Sequence, residues 1–62
     1  MTAILLDRLR SGPCLLVDLA GSINRGCAFT EALLRDMAKR GIVEEVADAL
    51  GAYRWRLKET AS

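Results

Sequence analysis

Residues 33–46, LLRDMAKRGIVEEV, decide the fold because the spacing of the apolar residues changes within this stretch. Up to Arg40 the apolar residues recur every three or four positions, which is typical of an amphipathic helix. Gly41 suits the position just after a helix end, where the backbone often turns left-handed. Two apolar residues and then Glu44 and Glu45 follow, which favours a short strand. The stretch therefore predicts a helix that ends at Arg40-Gly41 and continues directly into a strand.

Two shorter helices are predicted before this stretch. The first lies within TAILLDRLRSG, residues 2–12, with Thr2 as its N-cap, and it ends before Pro13 because proline cannot continue a helix. The second lies within CLLVDLAGSIN, residues 14–24, where leucines and an isoleucine repeat at helical spacing. Asn24 tolerates the left-handed conformation, so we expect a tight turn there before the third helix.

The third helix is expected over residues 28–40, AFTEALLRDMAKR. Its charged residues include Glu31 and Arg35, which stand four apart in the order that favours a salt bridge along a helix. Basic residues in its last turn suit the negative end of the helix dipole. The predicted apolar stripe that faces the core consists of Phe29, Leu33 and Met37, with Leu34 and Ala38 beside it.

The pattern changes again near the C-terminus. Apolar and basic residues alternate in YRWRLK, residues 53–58, as they do in a half-buried strand. IVEEV, residues 42–46, is the expected partner strand, and Gly51 is the expected turn residue between the two. A helical stripe also fits VEEVADALG, residues 43–51, so a fourth helix is the alternative to a hairpin. The polar residues 59–62 are expected to form a disordered tail.

The order of these elements resembles the winged helix-turn-helix DNA-binding domain family, in the small form of bacterial and phage regulators. The resemblance is carried by ILLDRLRSGPCLLVDLAGSIN, LLRDMAKRGIVEEV and YRWRL. It implies an α+β fold with three helices and a C-terminal β-hairpin wing, in a single domain over residues 1–58. The landmarks that follow the family's order and spacing are Gly12-Pro13, Leu19-Ala20, Asn24 and Arg40-Gly41-Ile42-Val43.

DNA binding is the function that this resemblance implies. In the family, the third helix enters the major groove and the wing touches the backbone or the minor groove. The chain would then be a sequence-specific transcriptional regulator that binds double-stranded DNA, as a homodimer because one small domain neutralises few phosphates. The DNA-binding residues implied are Arg25, Ala28, Thr30, Glu31, Arg35 and Lys39 around the third helix, and Arg54 and Arg56 on the wing.

A winged-helix protein-interaction module without DNA binding is the alternative. Glu44, Glu45 and Asp48 would oppose phosphate at the start of the wing, and Arg35 would only pair with Glu31. The wing arginines would then be no more than the solvated face of a strand. The apolar residues left for a partner or self-interface are Ile4, Leu5, Val46, Ala49 and Leu50.

Charge geometry separates these two hypotheses. The net charge of +1 is too small to favour strong nucleic-acid binding, so the arrangement of the charges matters more than their sum. DNA binding is favoured if one face carries Arg25, Arg35, Lys39, Arg54 and Arg56. The interaction module is favoured if the acidic residues of the wing interrupt that face.

The composition argues against catalysis, a metal centre and a membrane segment. The chain of 62 residues contains no His, and Cys14 and Cys27 are fewer than the four ligands of a structural zinc site. We therefore expect no enzymatic activity, cofactor or metal. The apolar runs are too short for a secretion signal or a membrane span, so we expect a cytoplasmic protein without membrane insertion. Both cysteines should be reduced and at least partly buried.

Overall fold

A computed structural model describes residues 2–58, which form three helices followed by one antiparallel hairpin. This is an α+β arrangement, as predicted. The helices are α1 (Thr2–Leu9), α2 (Leu16–Ile23) and α3 (Cys27–Lys39), and the strands are β1 (Val43–Ala47) and β2 (Tyr53–Leu57). The tail predicted over residues 59–62 lies outside the described residues.

The chain between α1 and α2 turns at residues 10–12 and is then extended at Cys14 and Leu15, which corrects the start predicted for the second helix. Cys14 is not helical: its N–H donates to the carbonyl of Trp55 at 2.9 Å, and its carbonyl accepts the N–H of Trp55 at 2.8 Å. This bridge ties the chain after Pro13 to the hairpin, so α2 begins only after Leu15, which has an extended backbone. Thr2 belongs to the first turn of α1 and is not its N-cap.

The turn between α2 and α3 has the predicted conformation. Asn24 adopts φ 55° and ψ 45°, the left-handed region that Asn tolerates better than most residues. The N–H of Arg25 donates at 3.1 Å to the carbonyl of Ala20, one of the last carbonyls of α2. Gly26 is extended and precedes the first residue of α3. Residues 24–26 therefore set the angle between the two helices.

The buried stripe of α3 differs from the prediction. Thr30, Leu34 and Met37 are buried, whereas Phe29 is 46% exposed and Leu33 is half-buried. Thr30 occupies the core because its hydroxyl donates to the carbonyl of Gly26 at 3.0 Å, so no polar group is buried without a partner. Leu34 and Met37 of the predicted stripe are buried, and Leu33 and Ala38 pack against the core. The prediction was wrong for Phe29, which was placed inward as the most apolar side chain, and it missed Thr30.

The end of α3 confirms the stop predicted at Arg40-Gly41. Gly41 has φ +77°, and its N–H donates to the carbonyl of Ala38 at 3.0 Å. The N–H of Ile42 donates to the carbonyl of Met37 at 3.0 Å. These two bonds form a Schellman motif, which ends the helix and sends the chain at once into β1.

The hairpin is confirmed, and the fourth helix is not present in residues 43–51. In the register, Val43 faces Leu57, Glu45 faces Trp55 and Ala47 faces Tyr53. Directly opposed residues lie on the same face of a sheet and neighbours along a strand lie on opposite faces. One face, which we call the inner face, therefore carries these three pairs. The outer face carries Glu44 against Arg56 and Val46 against Arg54.

The core is closed by side chains from every element. Trp55, only 3% exposed, covers the side of the helices that would otherwise be open to water. The buried residues of the core cluster are Leu5, Leu9, Leu19, Ile23, Leu34, Met37, Val43 and Trp55. Because Trp55 also carries the bridge to Cys14, the hairpin is attached to the helical part by backbone hydrogen bonds as well as by apolar packing.

Candidate nucleic-acid interface

One side of α3 brings together four of the residues predicted to bind DNA. Ala28, Glu31, Arg35 and Lys39 are spaced three or four apart, so they lie along one side of the helix. This side, which we call the outer side of α3, is turned away from Thr30 and the rest of the buried stripe. Glu31 is half-buried and the other three are exposed. Because Ala28 has a small side chain, the backbone of α3 is accessible near its N-terminal end.

Arg25 lies in the turn that leads into α3. Its guanidinium carbon is 5.6 Å from the centroid of the Phe29 ring, a cation–π distance. Arg25 is exposed and makes no ion pair within residues 2–58. Phe29 thus lies at the surface beside a cation, whereas the predicted stripe placed it in the core. The spacing of four between Arg25 and Phe29 was the signal that could have suggested this contact.

Thr30 is excluded from any contact surface. Its relative exposure is 0%, and its hydroxyl already donates to the carbonyl of Gly26. It lies on the opposite side of α3 from Lys39 because its position follows the buried stripe. The prediction that Thr30 contacts DNA is therefore wrong for this conformation.

Arg35 is held by an acidic neighbour on its own helix. Its Nη2 lies 2.6 Å from Oε1 of Glu31, and its Nε donates to the same oxygen at 2.9 Å. The hydrogen bond to Glu31 and the charge of that carboxylate raise the pKa of Arg35 above its ordinary value. One turn later, Arg40 pairs with Asp36 at 3.2 Å in the same i,i+4 relation. Lys39, in contrast, makes no ion pair within residues 2–58.

The structure does not bring the hairpin arginines to the outer side of α3. Arg54 and Arg56 are on the outer face of the hairpin, whereas Trp55 and Glu45, on the inner face, line a groove with α3. Both arginines are also paired: Arg54 Nε donates to Asp48 at 3.0 Å and Arg56 Nε donates to Glu44 at 2.6 Å. The five cations whose common face would favour DNA binding, Arg25, Arg35, Lys39, Arg54 and Arg56, therefore do not share one face.

A groove of about 380 Å³ separates α3 from the inner face of the hairpin. Ala38 and Trp55 contribute apolar surface to it, and Arg35, Lys39 and Glu45 contribute charge. Glu45 is close enough to Arg35 to add to the rise in its pKa. Of the acidic residues at the start of the hairpin, Glu45 is the one that enters the space beside α3. Glu44 and Asp48 pair instead with arginines on the other face.

The tip loop of the hairpin, residues 48–52, is organised by a single carboxylate. Asp48 Oδ1 accepts the N–H groups of Leu50 at 2.9 Å and Ala52 at 3.0 Å. Its backbone adds an N–H bond to the carbonyl of Ala52 at 2.8 Å, and Gly51 turns with φ +84°. The hydrogen bond from Arg54 and then that from Ala52 lower the pKa of Asp48. This predicted turn at Gly51 is confirmed, and sequence reasoning missed the role of Asp48 in it.

The two cysteines are in different environments. Cys14 is half-buried at the bridge to Trp55, whereas Cys27 is exposed as the first residue of α3. The prediction that both are at least partly buried is thus wrong for Cys27. Neither belongs to a cluster of three or more His, Cys, Asp or Glu side chains that could hold a metal ion, and residues 2–58 contain no such cluster.

Over the described part of the chain, none of the helices has the length and apolar character that crossing a membrane requires. Comparison of the sequence with protein-family models, with curated proteins and with solved structures gave no match in any of the three.

Proposed function

We propose that this chain is a winged helix-turn-helix domain that binds double-stranded DNA with α3 in the major groove, as a sequence-specific regulator of transcription. The observation that carries the proposal is the arrangement of α2 and α3 about a tight turn. Asn24 turns the chain in a left-handed conformation, and the outer side of α3 takes no part in the core. A helix presented in this way is the element that such domains place against base edges.

The outer side of α3 supports this function through the kinds of residue it carries. Arg25 and Lys39 are exposed cations at its two ends, and neither is neutralised by a carboxylate within residues 2–58. Between them, Ala28 would let the helix backbone approach the groove closely. Each cation is suited to a phosphate oxygen, and Arg25 also to a guanine edge.

The Glu31–Arg35 pair supplies groups that could distinguish bases. An arginine donates in pairs to guanine, and a glutamate accepts from the amino group of cytosine. On DNA the two side chains would exchange their mutual hydrogen bonds for bonds to base edges. The free energy released is therefore smaller than for an arginine that is free in the unbound protein.

Binding to mixed duplex DNA across a salt series tests the proposal. We expect binding at low salt with a shallow salt dependence, because Arg25 and Lys39 are the only cations of this surface that make no ion pair within residues 2–58. Arg25→Ala and Lys39→Ala should each weaken binding and lower the salt slope by about 1. Arg54→Ala is the matched control, since that arginine is on the outer face of the hairpin and pairs with Asp48. No binding at low salt, or equal effects of all three substitutions, would contradict the proposal.

A protein-interaction module without DNA binding is the second candidate. The observation in its favour is that carboxylates of the same chain neutralise four arginines: Arg35, Arg40, Arg54 and Arg56. Glu45 also stands beside the outer side of α3, where it would oppose a phosphate. This candidate predicts the opposite result in the salt series, with no duplex binding at any salt concentration.

A further inference from the structure

The tip loop exposes an apolar side chain on a well-ordered support. Leu50 is 94% exposed, and Tyr53, at the start of β2, is 65% exposed. Residues 49–53 carry no charge, which is unusual for a loop that projects into water. The N–H groups of Leu50 and Ala52 donate to the Asp48 carboxylate, which fixes the loop before anything binds to it. An apolar anchor ordered in advance loses little conformational entropy on binding.

The groove between α3 and the hairpin provides a matching cavity on the same molecule. Trp55 and Ala38 contribute its apolar surface, and the aliphatic stems of Arg35 and Lys39 border it. Its volume of about 380 Å³ has room for a leucine side chain. The groove opens on the inner face of the hairpin, the face that also carries Ala47 and Tyr53.

We propose that two copies of this chain associate through their hairpins, each inserting Leu50 into the groove of the other. The positions of the tip loop and the groove on the hairpin support this arrangement. The exposed pair Ala47 and Tyr53 lies between the tip loop and the rung formed by Glu45 and Trp55. When two hairpins lie antiparallel with their inner faces together, this pair meets its own copy at a two-fold axis. The tip of each copy then lies over the groove of the other copy. Because both copies use the same surface, the assembly stops at a dimer.

The size of the surface and its charge favour a second copy as the occupant. A stable interface buries about 800 Å² per partner, roughly a fifth of the 4304 Å² surface of this chain. One tip loop alone is too small for that, whereas two tip-to-groove contacts and the inner faces between them supply more area. DNA is disfavoured as the occupant of the tip, because residues 49–53 offer no cation to a phosphate and Arg54 is held by Asp48.

Self-association through this groove does not depend on DNA binding, but the two would compete. Arg35 and Lys39 border the groove and also lie on the outer side of α3. Covering them in the dimer would remove them from DNA. Added duplex should therefore increase the monomer fraction if both proposals hold.

Sedimentation equilibrium of the chain without DNA, at protein concentrations up to about 1 mM, tests the dimer. We expect a monomer–dimer equilibrium. Leu50→Asp removes the anchor from both copies and should weaken association by at least about 30-fold, the effect expected from the loss of one interface anchor. Ala38→Arg, which fills the groove from within, should have a similar effect. The control is Val17→Asp, because Val17 is 62% exposed on α2, away from both parts.

Mixing the two variants gives a sharper test. Leu50→Asp keeps its groove and Ala38→Arg keeps its tip, so the mixture should recover one of the two contacts and form a weak heterodimer. Far-UV circular dichroism checks that each variant is folded, and if Ala38→Arg is not, the comparison of Leu50→Asp with Val17→Asp still decides. A wild-type chain that is monomeric at every concentration, or a control that dissociates as much as Leu50→Asp, would overturn the inference. Because no DNA is present, failure here leaves the DNA proposal intact.

Discussion

Single residues in this molecule owe their position to the hydrogen bonds they can make as much as to their polarity. Thr30 is buried and nearly half of Phe29 is exposed, the reverse of what hydrophobicity favours. A threonine in a helix can satisfy its hydroxyl on the carbonyl four residues earlier, here that of Gly26, so burying it costs little. The exposed ring of Phe29 makes a cation–π contact with the guanidinium of Arg25.

Asp48 gives a pH prediction at this scale. Its pKa is lowered in the folded chain, so its contribution to stability is fully present above the ordinary carboxyl value of 3.8 and is lost as the pH falls through the lowered pKa. We expect the amide proton shifts of Leu50 and Ala52 to titrate together, at a pH below 3.8, because both N–H groups donate to this carboxylate. Two-dimensional NMR across that range measures it.

Asp48→Asn is the control for this titration. The amide keeps an oxygen for the two N–H donors but cannot ionise, so the common titration of Leu50 and Ala52 should disappear. A common titration that persists in the variant, or one at or above the ordinary value, would show that Asp48 does not organise the tip loop.

At the scale of elements, the ends of the helices are encoded by a few backbone conformations. Gly41 with φ +77° ends α3, whereas Gly21 lies inside α2 with an ordinary helical backbone. A Cβ added at either position would meet no atom within 4 Å. The two glycines therefore differ in backbone strain alone, which makes them a matched pair.

Alanine at these two glycines should have opposite effects on stability. Gly21→Ala is expected to raise the free energy of unfolding by up to about 1 kcal/mol, because alanine favours the helix and restricts the unfolded chain. Gly41→Ala is expected to lower it by about 1–2 kcal/mol, because a side chain disfavours the left-handed region. Urea denaturation measures both. A change of the same sign in the two variants would contradict this account of how α3 ends.

At the scale of the whole molecule, Trp55 connects the hairpin, the extended segment at Cys14 and the core. It is almost fully buried and makes both backbone bonds of the bridge to Cys14. A domain of this length is stable by only about 3–9 kcal/mol, at roughly 0.05–0.15 kcal/mol per residue. Removing a buried tryptophan side chain costs about 3–5 kcal/mol.

We therefore expect Trp55→Ala to be largely unfolded at 25 °C. Trp55→Phe should remain folded with a lower melting temperature, because a smaller ring still covers the core. Thermal melts followed by far-UV circular dichroism distinguish the two. A cooperative melt of Trp55→Ala close to that of the wild-type chain would show that the hairpin is not essential to the core.

The charges also act at this scale. Carboxylates pair with Arg35, Arg40, Arg54 and Arg56, and both arginines of the hairpin lie on its outer face. Alternation along β2 predicts that Arg54 and Arg56 are opposite to Trp55. It cannot predict that α3 lies beside the Trp55 face, because that depends on packing. This is why Ala28, Glu31, Arg35 and Lys39 lie together on α3, whereas Arg54 and Arg56 lie apart from them on the hairpin.

After the stop at Gly41 the sequence left a hairpin and a fourth helix as alternatives. By itself it determined the order of the three helices, the left-handed turn at Asn24 and the stop at Gly41. These are local properties, since each depends on the backbone preferences of a few neighbouring residues. Only the tertiary structure decided which side of α3 is buried, that Cys14 joins the hairpin, and that Glu45 faces α3 while Glu44 and Asp48 do not. Those outcomes depend on contacts between residues distant in the chain, which periodicity does not contain.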